Sequence, residues 1–284
     1  MIVTRSIKET REVVSGWRRE NGVIGLVPTM GFFHDGHLEL MRTSVRKTDR
    51  TVVSLFVNPT QFGPGEDLDV YPRDFDGDCI KARQIGVDAV FCPEPEEIYN
   101  TGHKTEVSVA GLATGLCGVD RPGHFTGVAT VVAKLFNIVL PDYAFFGEKD
   151  FQQLRIIQQL TQDLDFAISI VGVPIVRESD GLAMSSRNAY LSESERQEAL
   201  VLHEALKGIR QRVLGGEGSV VVVDLIKRAV AMIEKSKSCS LEYLSIVDEK
   251  SLQGLSEVQG RCRALGAIRV NQRIRLIDNI ALYR

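Results

Sequence analysis

Two histidines, three residues apart in His34-Asp35-Gly36-His37, stand where an apolar run gives way to a helical pattern. Val23–Val27 reads as a buried parallel strand. Pro28 and Gly31 punctuate its end. Beyond Gly36–His37, Leu38, Leu40, Met41 and Val45 fall on one face of a helix. Open α/β sheets gather ligands at such carboxyl strand ends. A helix start also offers unpaired amides and a partial positive charge, which favour an anion. Two imidazoles placed there can donate hydrogen bonds to phosphate oxygens, and stabilising charge on phosphate is what nucleotidyl transfer demands. The plainer alternative is a surface turn with incidental histidines. Gly31-x4-Gly36 has P-loop spacing, but His37-Leu38 replaces the Lys-Ser/Thr that a P-loop needs, and GxGxxG is absent.

Further polar clusters follow other apolar runs. The strand Thr51–Val57 leads into Asn58-Pro59-Thr60-Gln61, whose amides suit hydroxyl and carboxylate groups. Gln61 is read as a site residue and Asn58 as a turn residue bonding its own backbone. The helix Asp74–Ile85 opens with Asp74, Asp76 and Asp78, which the helix dipole explains without function. Asp78 is also offered as a contact to Mg²⁺. Arg121-Pro122-Gly123-His124 precedes an apolar helix, Val128–Val139. Arg121 reads equally as an anion clamp and as a surface arginine. A strand over Asp142–Phe146 runs into Gly147-Glu148-Lys149-Asp150 and a helix, Phe151–Leu160. Lys149 is a point charge suited to polyphosphate, and Asp150 reads as a ribose contact or a helix cap. Asp180–Asn188, with Ser185, Ser186 and Arg187, reads as a mobile phosphate clamp or as a solvated linker. His103 and His203 are read as incidental, and Trp17 as packing.

The elements that must position these groups divide in two. Strands at Val23, Thr51, Asp88–Cys92, Asp142 and Ile168–Val173 alternate with helices up to about residue 175, the pattern of a Rossmann-like parallel sheet. After it come helices over Glu193–Leu214 and Val220–Ser236, separated by Gly215-Gly216-Glu217-Gly218. Three strand-like stretches follow, Leu241–Val247, Cys262–Val270 and Ile274–Ile280. The expectation is an α/β protein with a nucleotide-binding domain over 1–175 and a smaller α+β lid domain over 176–284. A length of 284 residues, 44% hydrophobic and 25% charged, supports packed cores of this size. A net charge of −3 and pI near 6.0 argue against a nucleic-acid or anionic-membrane surface. Five cysteines without a CxxC pair favour reduced thiols in the cytoplasm. The early charges argue against a signal peptide, and no apolar run is long enough to span a bilayer.

Taken in order, VPTMG-x-x-H-x-GH, LFVNPTQF, RPGHF-x-G, FGEKDFQQL and DGLAMSSRN closely resemble the pantoate–β-alanine ligases. These belong to the nucleotidyltransferase superfamily with His-x-Gly-His signatures, and the resemblance spans essentially the whole chain. Phe32-Phe33 departs from the usual Ala-Leu, and Gly77 from a position often acidic. The resemblance implies two steps: adenylation of (R)-pantoate by ATP with release of pyrophosphate, then attack by β-alanine with release of AMP. It implies that ATP is bound by Met30, Gly31, Phe32, Phe33, His34, Asp35, Gly36 and His37. Gly147, Glu148, Lys149, Asp150, Val176, Met184, Ser185, Ser186 and Arg187 complete that set. His37 matches the proton donor, with His34, Lys149 and Arg187 as further catalytic residues. Pantoate falls to Gln61 and Gln153, its gem-dimethyl group to Pro28, Met30, Val128, Val131 and Val132, and β-alanine to Gln61. Arg121 and Asn58 are placed near the pyrophosphate or β-alanine end. The resemblance also implies that Mg²⁺ bridges phosphates rather than occupying a protein cage, and that the enzyme is a cytoplasmic homodimer. Three alternatives predict different products. An adenylyltransferase with another small acceptor would keep the adenylate on its product. A class I aminoacyl-tRNA synthetase would need a tRNA surface. A nucleotide-binding module would release no pyrophosphate.

Overall fold

A computed structural model describes residues 1–215 and 221–283. The chain break read at Gly216-Glu217-Gly218 and the helix start read at Val220 lie outside the described residues. Two compact units form. One comprises Met1–Thr114, Gly118–Glu148 and Gln152–Pro174; the other comprises Gly115–Cys117, Lys149–Phe151 and Ile175–Arg284.

The first unit is built on a six-stranded sheet ordered β1-β4-β3-β2-β5-β6, all paired parallel. Its strands are β1 (Ile2–Thr4), β2 (Ile24–Thr29), β3 (Arg50–Leu55), β4 (Ala89–Phe91), β5 (Tyr143–Gly147) and β6 (Ser169–Val173). The Rossmann-like expectation holds, with one strand more than the sequence suggests. Three-residue β1 is too short to show a period, and it forms only as an edge against β4. The connecting helices are α1 (Ile7–Arg19), α2 (Asp35–Lys47), α3 (Phe75–Ile85), α6 (His124–Val139) and α7 (Phe151–Asp163), with single-turn α4 (Pro95–Ile98) and α5 (Cys117–Asp120) between them. Helix α6 starts at His124, four residues before the Val128 start expected from the sequence, and Phe125 already belongs to its buried face.

Sequence detail explains the packing. Ser6 and Glu9 cap α1 reciprocally, through Ser6 Oγ to the Glu9 amide at 3.2 Å and Glu9 Oε2 to the Ser6 amide at 3.1 Å. Gly25 lets α2 lie close on β2, because a Cβ there would collide with Ser44 Oγ. Strand order reverses between β2 and β5. The two pair only at Gly25↔Tyr143 and Leu26↔Ala144, although β2 continues to Thr29 and β5 to Gly147. They therefore part at their carboxyl ends, as at the ligand-binding switch point of doubly wound sheets. Pro28 lies where that pairing has ended, a position that tolerates a residue without an N–H.

The second unit is an antiparallel sheet of β7 (Cys239–Asp248), β8 (Cys262–Val270) and β9 (Ile274–Ala281), in that order. Helices α8 (Glu193–Gly215) and α9 (Val222–Ile233) supply Leu202, Leu206, Leu225 and Ile233 to a core shared with Ile246, Ala264 and Ile268. The smaller α+β expectation is met.

Candidate active site

After β2 the chain turns through two residues with left-handed backbone, Gly31 (φ 89°) and Phe32 (φ 54°). A side chain in that region costs about 1–2 kcal/mol, so something must hold Phe32. Asp78 does so from α3. Its Oδ2 accepts the Phe32 amide at 2.6 Å and its Oδ1 the Phe33 amide at 2.7 Å. Lys81 Nζ, one helical turn on, donates to the Phe33 carbonyl at 2.9 Å. Asp78 is fully buried. Burial pushes its carboxyl above the usual range, against the pull of the two amides and Lys81. The sequence offers Asp78 as a Mg²⁺ contact, but here both its oxygens serve the loop. Among the described residues no three His, Cys, Asp or Glu side chains gather to hold a metal ion. Asp74 does local work as well, capping α3 through the Gly77 amide at 3.0 Å and occupying the space a Cβ on Gly77 would need.

The loop delivers His34 to the N-cap of α2. His34 Nδ1 accepts the Gly36 amide at 3.2 Å, and His37 Nδ1 accepts the His34 amide at 3.4 Å. This is the reciprocal logic of a capping box with imidazoles in place of hydroxyl and carboxylate. An Nδ1 that accepts an N–H must keep its lone pair, so the proton of each neutral ring sits on Nε2. The rings lie 4.0 Å apart, centroid to centroid. Each neutral ring thus keeps its N–H on Nε2, and both rings sit at the helix N-terminus that follows β2, a place that favours an anion.

Gln61 ends a 3₁₀ turn, Pro59–Gln61, and is almost fully buried. Its Nε2 donates to Met30 Sδ at 3.1 Å, and its Oε1 accepts from Asn58 Nδ2 at 3.1 Å. Asn58 is no self-bonded turn residue. Its Nδ2 also reaches the Gly127 carbonyl at 3.1 Å, and its Oδ1 accepts from Tyr99 Oη at 2.8 Å. Asn58 therefore sets the amide orientation of Gln61. Gly127 permits this, because a Cβ there would strike the Thr60 carbonyl. Helix α6 buries Val128, Val131 and Val132, while Pro28 and Met30 are half-buried. Arg121 forms a two-pronged bond to Glu66, Nε to Oε1 at 2.7 Å and Nη2 to Oε2 at 2.6 Å. Burial pushes the Glu66 carboxyl up, but Arg121 outweighs it and holds it below the usual range. His124 Nδ1 lies 2.8 Å from the Gln61 carbonyl. So Arg121 and His124 brace the Gln61 turn, a role that neither sequence reading of Arg121 contains. Gly147 ends β5, with Glu148 after it, and Gln153 is half-buried at the start of α7.

In the second unit, Lys149 is largely shielded and lies 3.9 Å from Asp150. Val176 and Met184 meet through the Met184 amide and the Val176 carbonyl at 3.0 Å, closing a hairpin-like loop. The loop is better anchored than its polarity suggests. Leu182 and Ala183 are buried. Arg196 also bonds Glu178 at 2.5 Å and Asp180 at 2.7 Å. Ser185 Oγ accepts the Arg187 amide at 3.3 Å and so starts the turn that holds Ser186 and Arg187.

A profile of the pantoate–β-alanine ligases matches residues 2–281. The chain belongs to this family. It is 50% identical over 281 residues to pantothenate synthetase of Heliobacterium modesticaldum, covering 98% of this chain and 99% of that one. It is 49% identical to that of Desulfotalea psychrophila, covering 98% of each. The crystal structure of pantothenate synthetase from Thermus thermophilus superposes over the full length of both chains with a TM-score of 0.94 at 42% identity. A Francisella tularensis pantoate–β-alanine ligase, described in complex with βγ-ATP and β-alanine, gives 0.82 at 31% identity over 99% of this chain and 98% of that one. Family membership makes the chain a ligase and disfavours an adenylyltransferase with another acceptor. Reasoning from sequence misses the supporting residues Lys81, Tyr99 and Glu66 and the loop-holding role of Asp78. Their partners lie tens of positions away, and the residue types alone carry no signal of it.

Proposed function

We propose that this chain condenses (R)-pantoate with β-alanine at the expense of ATP, through pantoyl adenylate. The observation that supports the proposal is the reciprocal histidine cap, which keeps the proton of each neutral ring on Nε2 at the N-terminus of the helix that follows β2. In the first step a pantoate carboxylate oxygen bonds to the α-phosphorus, the bond to the β-phosphate oxygen breaks, and pyrophosphate leaves. In the second, the β-alanine nitrogen bonds to the acyl carbon, AMP leaves, and the nitrogen loses its extra proton as the amide forms. Adenylation is needed because a free carboxylate resists amines, and a dry pocket protects the intermediate from water.

The roles follow the chemistry of the groups. His34 and His37 donate to ATP phosphates within the Met30–His37 loop, with His37 as proton donor at Nε2. From β5, Gly147 and Glu148 approach the nucleotide. In the second unit, Lys149 and Arg187 stabilise the charge that builds on phosphate, Asp150 serves the ribose, and Val176 and Met184–Ser186 complete the nucleotide contacts. Gln61 and Gln153 hold pantoate, Gln61 also contacts β-alanine, and Pro28, Met30, Val128, Val131 and Val132 receive the gem-dimethyl group. The buried, pre-oriented Gln61 amide supports this, since a fixed amide suits a hydroxyl or carboxylate. The residues do not fit a resident Mg²⁺, so the ion is proposed to arrive on ATP. A cytoplasmic homodimer is proposed from the resemblance. Five free thiols suit a reducing compartment, and no helix among the described residues is long and apolar enough to cross a membrane.

The test is pyrophosphate release from MgATP with pantoate alone, followed by β-alanine. Pyrophosphate with pantoate, and AMP plus an amide only after β-alanine, is the expected result. Silence with pantoate but turnover with another acceptor would overturn the proposal.

A further inference from the structure

The second unit buries two adjacent polar side chains on one strand. Asp278 and Asn279 of β9 are only 5% and 2% exposed. Each is tied to a segment that carries a proposed phosphate contact. Asn279 Nδ2 donates to the backbone carbonyl of Lys149 at 2.9 Å, and its Oδ1 accepts from Arg263 Nη1 at 2.7 Å. Arg263 is itself buried. It donates through Nε to Glu249 at 2.8 Å and lies over the Phe151 ring, 4.0 Å from its centroid. The segment is thus held at the Lys149 carbonyl and, two residues later, at the Phe151 ring.

Asp278 works in the other direction. It accepts both prongs of Arg177, at 2.7 and 2.9 Å, and Arg177 Nη1 also donates to the Gly181 carbonyl at 3.0 Å. His203 Nδ1 lies 3.5 Å from Asp278 Oδ2, and the His203 ring fills the space that a Cβ on Gly181 would need. His203, which the sequence does not mark as a ligand, packs against the loop that leads to Met184–Arg187. The two halves are joined, because Asp278 Oδ1 also accepts the Asn279 amide at 2.7 Å.

Buried charges are poor stabilisers when an apolar pair of similar volume would fit. Their concentration on two strap segments calls for another account. We propose that Asp278–Asn279 is a positioning bracket for adenylation. Asn279, steadied by Arg263, fixes the backbone from which Lys149 reaches. Asp278, through Arg177 and His203, fixes the loop that presents Arg187. One strand therefore sets where both cationic side chains start. This rests on the assignment of Lys149 and Arg187 to phosphate made above. Asp278 and Asn279 act through the residues they hold.

A double-mutant cycle on the full-length enzyme tests it, read as pantoate-dependent ATP–pyrophosphate exchange. Misplacing a reacting group by an ångström can cost about 10²-fold, so Asn279→Ala should slow exchange roughly 10- to 100-fold. In a Lys149→Ala background, Asn279→Ala should cost no more than about twofold, because the group it positions is gone. Equal factors in both backgrounds would overturn the bracket and leave the Lys149 assignment intact. An unchanged rate in Lys149→Ala alone would overturn that assignment and the bracket with it. Asn279→Asp provides a second route if Asn279→Ala does not fold. It keeps the shape and an acceptor for Arg263 but lacks the donor to the Lys149 carbonyl, and it should show the same background dependence. Full exchange activity in Asn279→Asp would overturn the bracket.

Discussion

Replacing Asp78 by Asn would test how the histidine loop is held. The carboxylate accepts two amides at 2.6 and 2.7 Å with no exposure to solvent. Asparagine retains one acceptor and turns an NH₂ group towards the second amide, so two donors face each other. A hydrogen bond to a charged group contributes about 1.5–3 kcal/mol, and a stranded buried donor costs about 1–3 kcal/mol. Removing a buried charge returns part of this, since burial already pushes the Asp78 carboxyl upward. A net loss of about 2 kcal/mol is expected, or roughly 4–8 °C in Tm for a unit of this size. The left-handed Phe32 would then relax and take the His34 cap with it. Pantoate-dependent exchange should fall about 10- to 100-fold. Thermal unfolding followed by circular dichroism, beside exchange kinetics, measures both effects. A variant that melts with the wild type and exchanges at the wild-type rate would refute the loop-anchor account. An unchanged Tm with a raised requirement for Mg²⁺ would place the cation at Asp78 instead.

Other substitutions probe separate parts. Gln153→Ala should weaken pantoate binding much more than ATP binding in titrations of each ligand; equal losses would remove Gln153 from the pantoate site. Gly127→Ala should destabilise by about 1–3 kcal/mol in urea unfolding, because the new methyl must push the Thr60 carbonyl away. Its KM for pantoate should rise as the Gln61 turn shifts, and a neutral result would mean that α6 and this turn can part without consequence. Asp278 predicts a pH effect. Burial raises its carboxyl, but His203 and Arg177 prevail, and the folded value lies below the usual 3.8. Its stabilisation is complete above 3.8 and is lost as pH falls through the lower folded value. Asp278→Asn should therefore be less stable than wild type at neutral pH, and the gap should narrow on acidification in denaturant titrations. A gap that stays constant into strong acid would show that Asp278 is not titrating against those partners.

The layered fold was legible because its strands announce themselves. Runs such as Val23–Val27 are apolar on both faces, as strands buried in a parallel sheet must be. β1 was not legible, since three residues show no period and its partner β4 lies far along the chain. The histidine pair was legible as chemistry, because residue type and position at a helix start point the same way. Its support was not. Asp78 reads as a dipole-favoured acid of α3, and only folding brings it to Phe32 and Phe33. Asn58 shows how local reasoning misleads. Asn before Pro suggests a turn, yet its amide serves Gln61, Gly127 and Tyr99. Asp278 and Asn279 interrupt an apolar strand, which is a signal of sorts, but nothing in the sequence says which distant backbone they hold.

The histidine cap of α2 bears on which substitutions this helix start can absorb. Each ring is a rigid spacer with an acceptor near the backbone and a donor at its far edge. Asparagine reproduces the near acceptor and lacks the far donor. Glutamine reaches the far edge with an NH₂ group, and at the N-cap, position 34, it leaves the Gly36 amide unanswered. Shaping the helix and greeting the ligand, fused in one imidazole, come apart in the two amides. Drift at these positions can thus lose chemistry while keeping shape, or lose shape while keeping reach. Among the ordinary side chains, a neutral imidazole is the one that does both.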